Sequence, residues 1–412
     1  MCFLYCDTAS KADCNKKRII NCLKHAFASN VPTLEVVDIT SINMRDPLRT
    51  FYTLAVLNPQ EEDILALRTS HVDWDNLVKI SFELNSSYIF YTNIKRFGLE
   101  ACFSSTDIKR LQAKKESAIL NNLTQINLFY EITGLLQAEN IKFIPLKGIS
   151  LTTDTYPDIR MRVGSDLDIF IHPANIDKCV EVLKKSSYKF EPFIPSSTRG
   201  VTSAHGQACM VRSQGDIYID IHYRLFTWYE EKYIFKIDSS KFYENTVNKP
   251  WKGYDLAYMK KEDEFYYLLM CIFRNRLGAF RHYLDADAIL KIHGANFDWN
   301  LVRSYLWRSP LKQYWECILK FMRERLKTPI PDELVLPEND VSGKAYLSLI
   351  DKRIMKPDID DTKLRLFYLH AAQKFVDKLA LVLLFLKWNL FKRFGCFRSF
   401  FIAHNNPRRD GM

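Results

Sequence analysis

A short acidic motif opens an apolar run near the middle of the chain. Asp166 and Asp168 flank Leu167, and the apolar residues 169–171 follow directly. Because side chains alternate between the two faces of a β-strand, both carboxylates share one face of this predicted strand while the leucine points into a core. The pattern alone is also typical of an exposed edge strand. On a buried strand, the carboxylates repel each other unless a divalent cation lies between them, and oxygen ligands favour Mg²⁺ or Mn²⁺.

A third acidic position lies on a predicted β-hairpin, whose strands cover residues 207–212 and 216–222. Asp220 and His222 share one face of the second strand, and isoleucines occupy the other. A buried aspartate needs a partner, and beside the first acidic pair it completes a three-carboxylate site that is able to hold two metal ions. The histidine either contacts a substrate or, in the favoured interpretation, is the hydrogen-bond partner of a carboxylate.

A segment with cations and a glycine comes just before the acidic motif. Lys147 and Gly148 end a predicted strand over residues 141–146 and lead into a helix. A glycine at this point lets backbone N–H groups approach a phosphate, and a helix N-terminus favours negative charge. Arg160 and Arg162 add two cations between this helix and the acidic strand. The segment therefore indicates a phosphate-binding loop next to the predicted cation site.

The rest of the chain predicts helices on both sides of these strands. Its composition, 47% hydrophobic and 26% charged over 412 residues, excludes a disordered chain. Apolar residues recur at helical spacing before residue 140 and after residue 261. We therefore predict an α+β fold with a small mixed sheet flanked by helical regions. The predicted boundaries are an N-terminal extension of unclear structure over 1–55, a helical region over 56–140, a core with the acidic motifs over 141–255 and a C-terminal helical domain over 256–412.

The order of these motifs resembles the nucleotidyltransferases of the DNA polymerase β-like superfamily, and it looks like a bacterial branch of uncharacterised nucleotidyltransferases. That branch combines Leu-Lys-Gly, Tyr-Pro, an arginine four residues before the first aspartate, an Asp-x-Asp strand, a later Asp-x-His and an aspartate before a helix. Here these motifs stand at residues 146–148, 156–157, Arg162, 166–168, 220–222 and Asp285. The resemblance covers about residues 60–400. It departs from most superfamily members, which carry Gly-Ser or Gly-Gly here, because Ile149 separates Gly148 from Ser150.

The resemblance implies an enzyme that moves a nucleoside monophosphate from an NTP, such as ATP, to a hydroxyl group and releases pyrophosphate. Asp166 and Asp168 would hold two ions of Mg²⁺ or Mn²⁺, and Asp220 would hold the catalytic ion and help to deprotonate the attacking hydroxyl. Lys147 and Arg162 would neutralise the phosphates. The candidate nucleotide-binding residues are Lys147, Gly148, Ser150, Arg162 and Ser165, with His222 and Arg160 as accessory residues.

The acceptor and two alternative functions stay open. The net charge of +10 favours anionic partners, and the acceptor is a small molecule, a sugar, a protein or a tRNA. One alternative is a toxin-type nucleotidyltransferase that acts on tRNA or protein. The other is a non-catalytic nucleotide-binding protein that keeps the fold, and the presence of all three acidic positions argues against it.

The cysteines and the two ends of the chain predict a cytoplasmic location. Ten cysteines without a regular framework, and a start that does not match a signal peptide, favour a reducing compartment. Cys2, Cys6, Cys14 and Cys22 contain no Cys-x-x-Cys pair, which disfavours a structural zinc site. The apolar stretch 379–386 is too short to span a bilayer. The following basic and aromatic residues predict at most a weak peripheral membrane contact, and docking of this helix on the protein core is the favoured interpretation.

Overall fold

The computed structural model of the chain describes residues 46–164, 166–190, 207–212, 217–337 and 341–356, with the helical positions 368, 377–378 and 381–383. Most of the predicted N-terminal extension, the four early cysteines, Ser165 and the basic-aromatic C-terminal segment lie outside the described residues.

Among the described residues, five α-helices precede the first strand. The last of them is 34 residues long and begins after Ser104, because the Ser104 hydroxyl accepts the backbone N–H of Asp107 at 3.0 Å. Its C-terminal half buries Phe129 and Ile132 against the sheet. The helices are α1 (Pro47–Ala55), α2 (Glu61–Thr69), α3 (Trp74–Glu83), α4 (Ser87–Arg96) and α5 (Ser105–Ala138).

A mixed five-stranded sheet follows, with the strand order β1-β2-β5-β4-β3. β2 and β5 run parallel, and the other neighbouring pairs run antiparallel, including the predicted hairpin β4–β5. The elements are β1 (Phe143–Pro145), α6 (Lys147–Asp154), β2 (Leu167–Ile171), α7 (Ile176–Lys185), β3 (Tyr188–Phe190), β4 (Gln207–Arg212) and β5 (Tyr218–His222).

A second, two-stranded sheet and six further α-helices follow in the described part of the chain. A π-helical turn (Glu230–Phe235) and α8 (Ser239–Glu244) lead into the hairpin β6–β7, whose turn places Lys252 and Gly253 at positive φ values of 46° and 87°. The sequence does not predict this hairpin. The elements are β6 (Thr246–Trp251), β7 (Tyr254–Met259), α9 (Lys261–Arg274), α10 (Phe280–His293), α11 (Trp299–Arg308), α12 (Lys312–Leu326) and α13 (Val341–Met355).

The central sheet lies between two hydrophobic cores. Leu167, Ile169 and Ile171 of β2 pack into a core that includes buried residues of α5, α7 and β7. Phe170, from the opposite face of the same strand, joins a larger core built from the N-terminal helices and from α9 to α13. All five residues of β2 are buried, so this strand carries Asp168 into the interior. Each fully buried aliphatic or phenyl side chain contributes about 1.5–3 kcal/mol to the folding free energy.

This arrangement confirms the predicted α+β fold, with a small mixed sheet and helices on both of its sides. The face of the sheet that carries the acidic residues turns toward the C-terminal helices, so those helices form the opposite wall of any site on this face. Within the described ranges, no helix combines the length and the apolar composition needed to cross a membrane.

Candidate active site

Two acidic side chains come together on neighbouring parallel strands. The register of β2 and β5 pairs Asp168 with Asp220 and Phe170 with His222. Because paired residues of a sheet project from the same face, all four side chains lie on the face opposite to Leu167 and Ile169. On both strands, side chains alternate between the two faces as the sequence predicts. The parallel pairing places Asp168 of β2 directly beside Asp220 of β5.

Asp168 is buried and accepts two hydrogen bonds at one oxygen. Lys147 Nζ and His222 Nε2 each lie 2.8 Å from Oδ1 of Asp168. Burial alone would raise the pKa of the Asp168 carboxyl, but the charge of Lys147 and the hydrogen bond from His222 hold that pKa well below its ordinary range. The carboxylate is therefore ionised at neutral pH, and because it can only accept, Nε2 of His222 carries a proton.

Lys147 reaches this carboxylate from the first residue of α6. The backbone N–H of Leu146 donates to the carbonyl of Asp168 at 3.0 Å, which extends the pairing of β1 with β2 up to the lysine. Lys147 itself has a φ of 45°, in the left-handed region, which costs a non-glycine residue about 1–3 kcal/mol. Burial would lower the pKa of Lys147, but the charge of Asp168 outweighs it and raises that pKa well above its ordinary value. The lysine side chain is thus positively charged at neutral pH and lies beside the acidic face.

Asp168, Asp220 and His222 form the acidic cluster of the site. Each of the three residues has one possible ligand atom in this cluster, and these three atoms all lie within 4.8 Å of one another. His222 is only 2% exposed, and its Nδ1 has no hydrogen-bond partner among the described residues. Asp220 is half-buried.

The acidic face opens toward the N-terminal ends of β2 and β5. Along β5, Tyr218 is 41% exposed, Asp220 is half-buried and His222 is buried. Asp166 stands directly before β2 and is half-buried, and it is not a member of the acidic cluster. Exposure along this face of β5 therefore increases from His222 toward Tyr218. The predicted metal-binding role of Asp166 stays a prediction.

Arg162 is buried in a network with the C-terminal helices. Its Nε and Nη2 donate to the two carboxylate oxygens of Asp285, at 3.1 and 2.9 Å, and the hydroxyl of Tyr156 donates to the same carboxylate at 3.1 Å. Asp285 is fully buried, on α10. The Tyr-Pro, Arg and final Asp motifs, widely separated in sequence, thus meet in one network. The predicted phosphate contact of Arg162 would require this guanidinium to exchange its carboxylate partner.

Gly148 is packed directly against this network. A Cβ atom built on Gly148 would lie 2.6 Å from Nη1 of Arg162. The guanidinium has little freedom to move aside because Asp285 holds it through two hydrogen bonds. The glycine is therefore needed for the close approach between the start of α6 and the arginine.

The Gly148→Ala variant is expected to lose about 1–3 kcal/mol of its free energy of unfolding, because overpacking displaces Arg162 or α6. Urea unfolding followed by circular dichroism measures the change. The matched control is Gly294→Ala, since a Cβ atom at Gly294 meets nothing within 4 Å. Equal stability of the Gly148→Ala variant and the wild-type protein would show that this contact relaxes at no cost.

The other candidate nucleotide-binding residues have varied environments. The hydroxyl of Ser150 donates to Oε1 of Glu264 at 2.6 Å and is buried, so a phosphate contact would require release of this bond. Arg160 is exposed and pairs with Asp158. Ser165 lies outside the described residues. The predicted roles of these three residues stay predictions.

The loop before β2 is held by two helices that sequence reasoning did not connect to the site. Asn122 of α5 donates from Nδ2 to the carbonyls of Ile159 and Arg162 and accepts the N–H of Gly164 at 3.2 Å. Arg281 of α10 donates to the carbonyl of Val163 at 2.8 Å. No local pattern marks this asparagine, because its partners lie about 40 residues further along the chain.

Three more residues on the C-terminal helices contribute to the electrostatics around Lys147. Burial raises the pKa of Cys271 to about 11 and raises that of Tyr267 well above its ordinary value, so both residues of α9 are neutral at pH 7. Burial lowers the pKa of His282 on α10 to about 3, so its imidazole is neutral as well. Lys147 interacts electrostatically with all three. The wall opposite the acidic cluster thus adds no charge of its own at these positions.

The donor set of the acidic cluster fits a divalent metal ion. The carboxylates of Asp168 and Asp220, on two adjacent strands, are oxygen ligands of the kind that Mg²⁺ and Mn²⁺ accept. The ionised state of Asp168 agrees with a site that binds a positively charged group.

A family model described as uncharacterised nucleotidyltransferase matches residues 70–327, which is more than half of the chain. The match contains the whole five-stranded sheet, the acidic cluster and the Arg162–Asp285 network, and it confirms the resemblance found in the sequence motifs. No curated protein matches the chain. The chain belongs to the uncharacterised nucleotidyltransferase family.

Proposed function

We propose that the protein transfers a nucleoside monophosphate from an NTP to a hydroxyl acceptor and releases pyrophosphate. The observation that carries this proposal is the alignment of Asp168 and Asp220 on neighbouring parallel strands, with Lys147 in contact with Asp168, inside the range matched by the family. Two carboxylates and a cation at one end of a sheet are what phosphoryl-transfer chemistry needs, since such catalysis relies mostly on positioning and charge stabilisation.

In this proposal Asp168 and Asp220, with Asp166 at the open end, hold Mg²⁺ or Mn²⁺. When bound, the metal supplies positive charge at the phosphate oxygens. The low pKa of Asp168 supports its part, because the carboxylate is available in ionised form at any physiological pH. Asp220 is the more accessible of the two cluster carboxylates, and we assign to it the proton of the attacking hydroxyl.

Lys147 and Gly148 contact the triphosphate in this proposal. The ammonium of Lys147 donates to phosphate oxygens, and the backbone N–H groups at the start of α6 add further donors. Arg162 supports this loop from behind, because it packs against Gly148 and is anchored by Asp285. The nucleotide and the acceptor enter past Tyr218, where the acidic face is exposed.

The proposal includes four classes of acceptor and a cytoplasmic location. A small molecule, a sugar, a protein side chain and a tRNA end each offer the hydroxyl group that the reaction needs. Cys102, Cys179, Cys271 and Cys317 are free thiols, which supports a reducing, cytoplasmic compartment.

The test is an acceptor search with each of the four NTPs in the presence of Mg²⁺ or Mn²⁺. Mass spectrometry of small-molecule, protein and RNA fractions should detect an acceptor whose mass increases by one nucleoside monophosphate. The increase should be absent with the Asp168→Asn variant and with EDTA. An acceptor that gains a single phosphate instead would contradict the proposal, because that product requires attack at the γ-phosphorus.

A further inference from the structure

One oxygen of the acidic cluster is shared by two protein donors. Lys147 Nζ and His222 Nε2 both lie 2.8 Å from Oδ1 of Asp168. A divalent ion bound to Asp168 needs the same carboxylate, and at contact distance it repels a lysine ammonium. The lysine and a metal ion at this carboxylate are therefore competitors.

The two donors differ in how easily they can leave. His222 is 2% exposed and fixed within β5, whereas the Lys147 side chain is 22% exposed. A lysine carries its charge on a flexible four-carbon stem with three rotatable donors, so it can exchange one anion for another without movement of the backbone. Lys147 also stands at the first residue of α6, where a bound phosphate is stabilised by the backbone N–H groups.

We infer that Lys147 holds the cation position beside Asp168 in the metal-free protein, and that a bound triphosphate draws it away and so opens the carboxylate to the metal ion. Nucleotide and metal then bind together, and metal alone binds weakly. The identity of the nucleotide as the withdrawing anion rests on the proposed function. The competition between lysine and metal rests on the described contacts alone.

The same geometry explains why a free metal ion has little advantage at this site. Asp168 is already neutralised by one full charge at 2.8 Å from Oδ1, so a metal ion that binds this carboxylate either displaces the lysine ammonium or lies close to its charge. A triphosphate offers the lysine a new partner of higher charge, which removes this penalty. Lys147 therefore lowers the affinity of the protein for a free metal ion and raises its affinity for the nucleotide.

The test is Mn²⁺ binding to the nucleotide-free protein, measured by electron paramagnetic resonance of the free ion. The Lys147→Met variant is expected to bind Mn²⁺ about tenfold more tightly than the wild type or better, because the competing charge is gone. The Lys178→Met variant is the matched control, since it removes one surface lysine that is 50% exposed and pairs with Glu139. Unchanged or weaker Mn²⁺ binding by the Lys147→Met variant would overturn the inference.

Two further variants test whether the tighter Mn²⁺ binding occurs at Asp168 and whether a folding defect explains the result. Adding Asp168→Asn to Lys147→Met should abolish the tighter binding, and tight binding that survives in the double variant would overturn the inference. If the Lys147→Met protein does not fold, Lys147→Gln keeps a neutral donor near Asp168 and carries the same expectation. Tighter Mn²⁺ binding without any nucleotidyl transfer by the wild type would leave the lysine–metal competition intact and count against the proposed function alone.

Discussion

Replacement of Asp168 by asparagine is expected to abolish nucleotidyl transfer. Asparagine keeps the size and much of the hydrogen-bonding capacity, but it removes the charge that both Lys147 and a bound metal ion need. Metal stabilisation of the phosphoryl oxygens is worth several kcal/mol, so the expected loss in kcat/KM is about 10³-fold or more. Transfer of label from an α-labelled NTP measures the effect.

The same substitution should also lower stability without unfolding the protein. Lys147 and His222 both lose a charged acceptor at 2.8 Å, and because the lysine is partly exposed the expected cost is about 1–3 kcal/mol in the free energy of unfolding. The matched control is Asp177→Asn on the exposed side of α7, which should leave activity and stability unchanged. Full activity of the Asp168→Asn protein would contradict the assignment of this carboxylate to catalysis.

Substitution of Asp285 by asparagine is expected to give the largest loss of stability near the site. Asp285 is fully buried, and it neutralises the buried guanidinium of Arg162 through two hydrogen bonds while it also accepts from Tyr156. Removal of one partner from a buried ion pair typically costs about 3–5 kcal/mol, because the other charge stays buried. Urea unfolding at constant pH measures the loss.

An exposed ion pair nearby provides the comparison for this prediction. Arg160 pairs with Asp158 at the surface, so Asp158→Asn should change the free energy of unfolding little. If the Asp285→Asn protein does not fold, Tyr156→Phe removes a single hydrogen bond to the same carboxylate and should cost about 1 kcal/mol. A stability loss for Asp285→Asn no larger than for Asp158→Asn would show that the buried network contributes little.

Much of the acidic face follows from local sequence pattern. Alternation along β2 and β5 predicts which residues share a face with Asp168 and Asp220, because that period belongs to any strand. The α+β fold and the family also follow from the motif order, and the sheet and the family match confirm both. These features depend on neighbours in sequence or on a fixed order of motifs.

The partners of the site residues could not be predicted in the same way. From the sequence, clustered carboxylates repel one another unless a cation lies between them, and the pattern does not indicate which protein groups neutralise Asp168. The structure instead gives Asp168 two donors, one of them from a lysine whose backbone adopts a left-handed φ. That contact depends on the pairing of β1 with β2 and on one unusual dihedral angle, and neither leaves a signal in local composition.

Arg162 shows the same limit over a longer range. As a cation before an acidic strand it predicts a phosphate ligand, but its partner is Asp285, on a helix more than 100 residues further along the chain. The hairpin β6–β7 was missed for a different reason. Pro250 interrupts the β pattern of its first strand, and a proline is tolerated there because this sheet has only two strands.

The most direct test of the proposed chemistry compares ATP, or whichever NTP the acceptor search identifies, labelled at the α-phosphate or at the γ-phosphate. With acceptor and Mg²⁺, we predict that the wild type incorporates the α label into the acceptor and releases the γ label as pyrophosphate, and that Asp168→Asn does neither. Release of the γ label as inorganic phosphate, with the α label left on the nucleotide, would contradict the account, as would full pyrophosphate release by the Asp168→Asn protein.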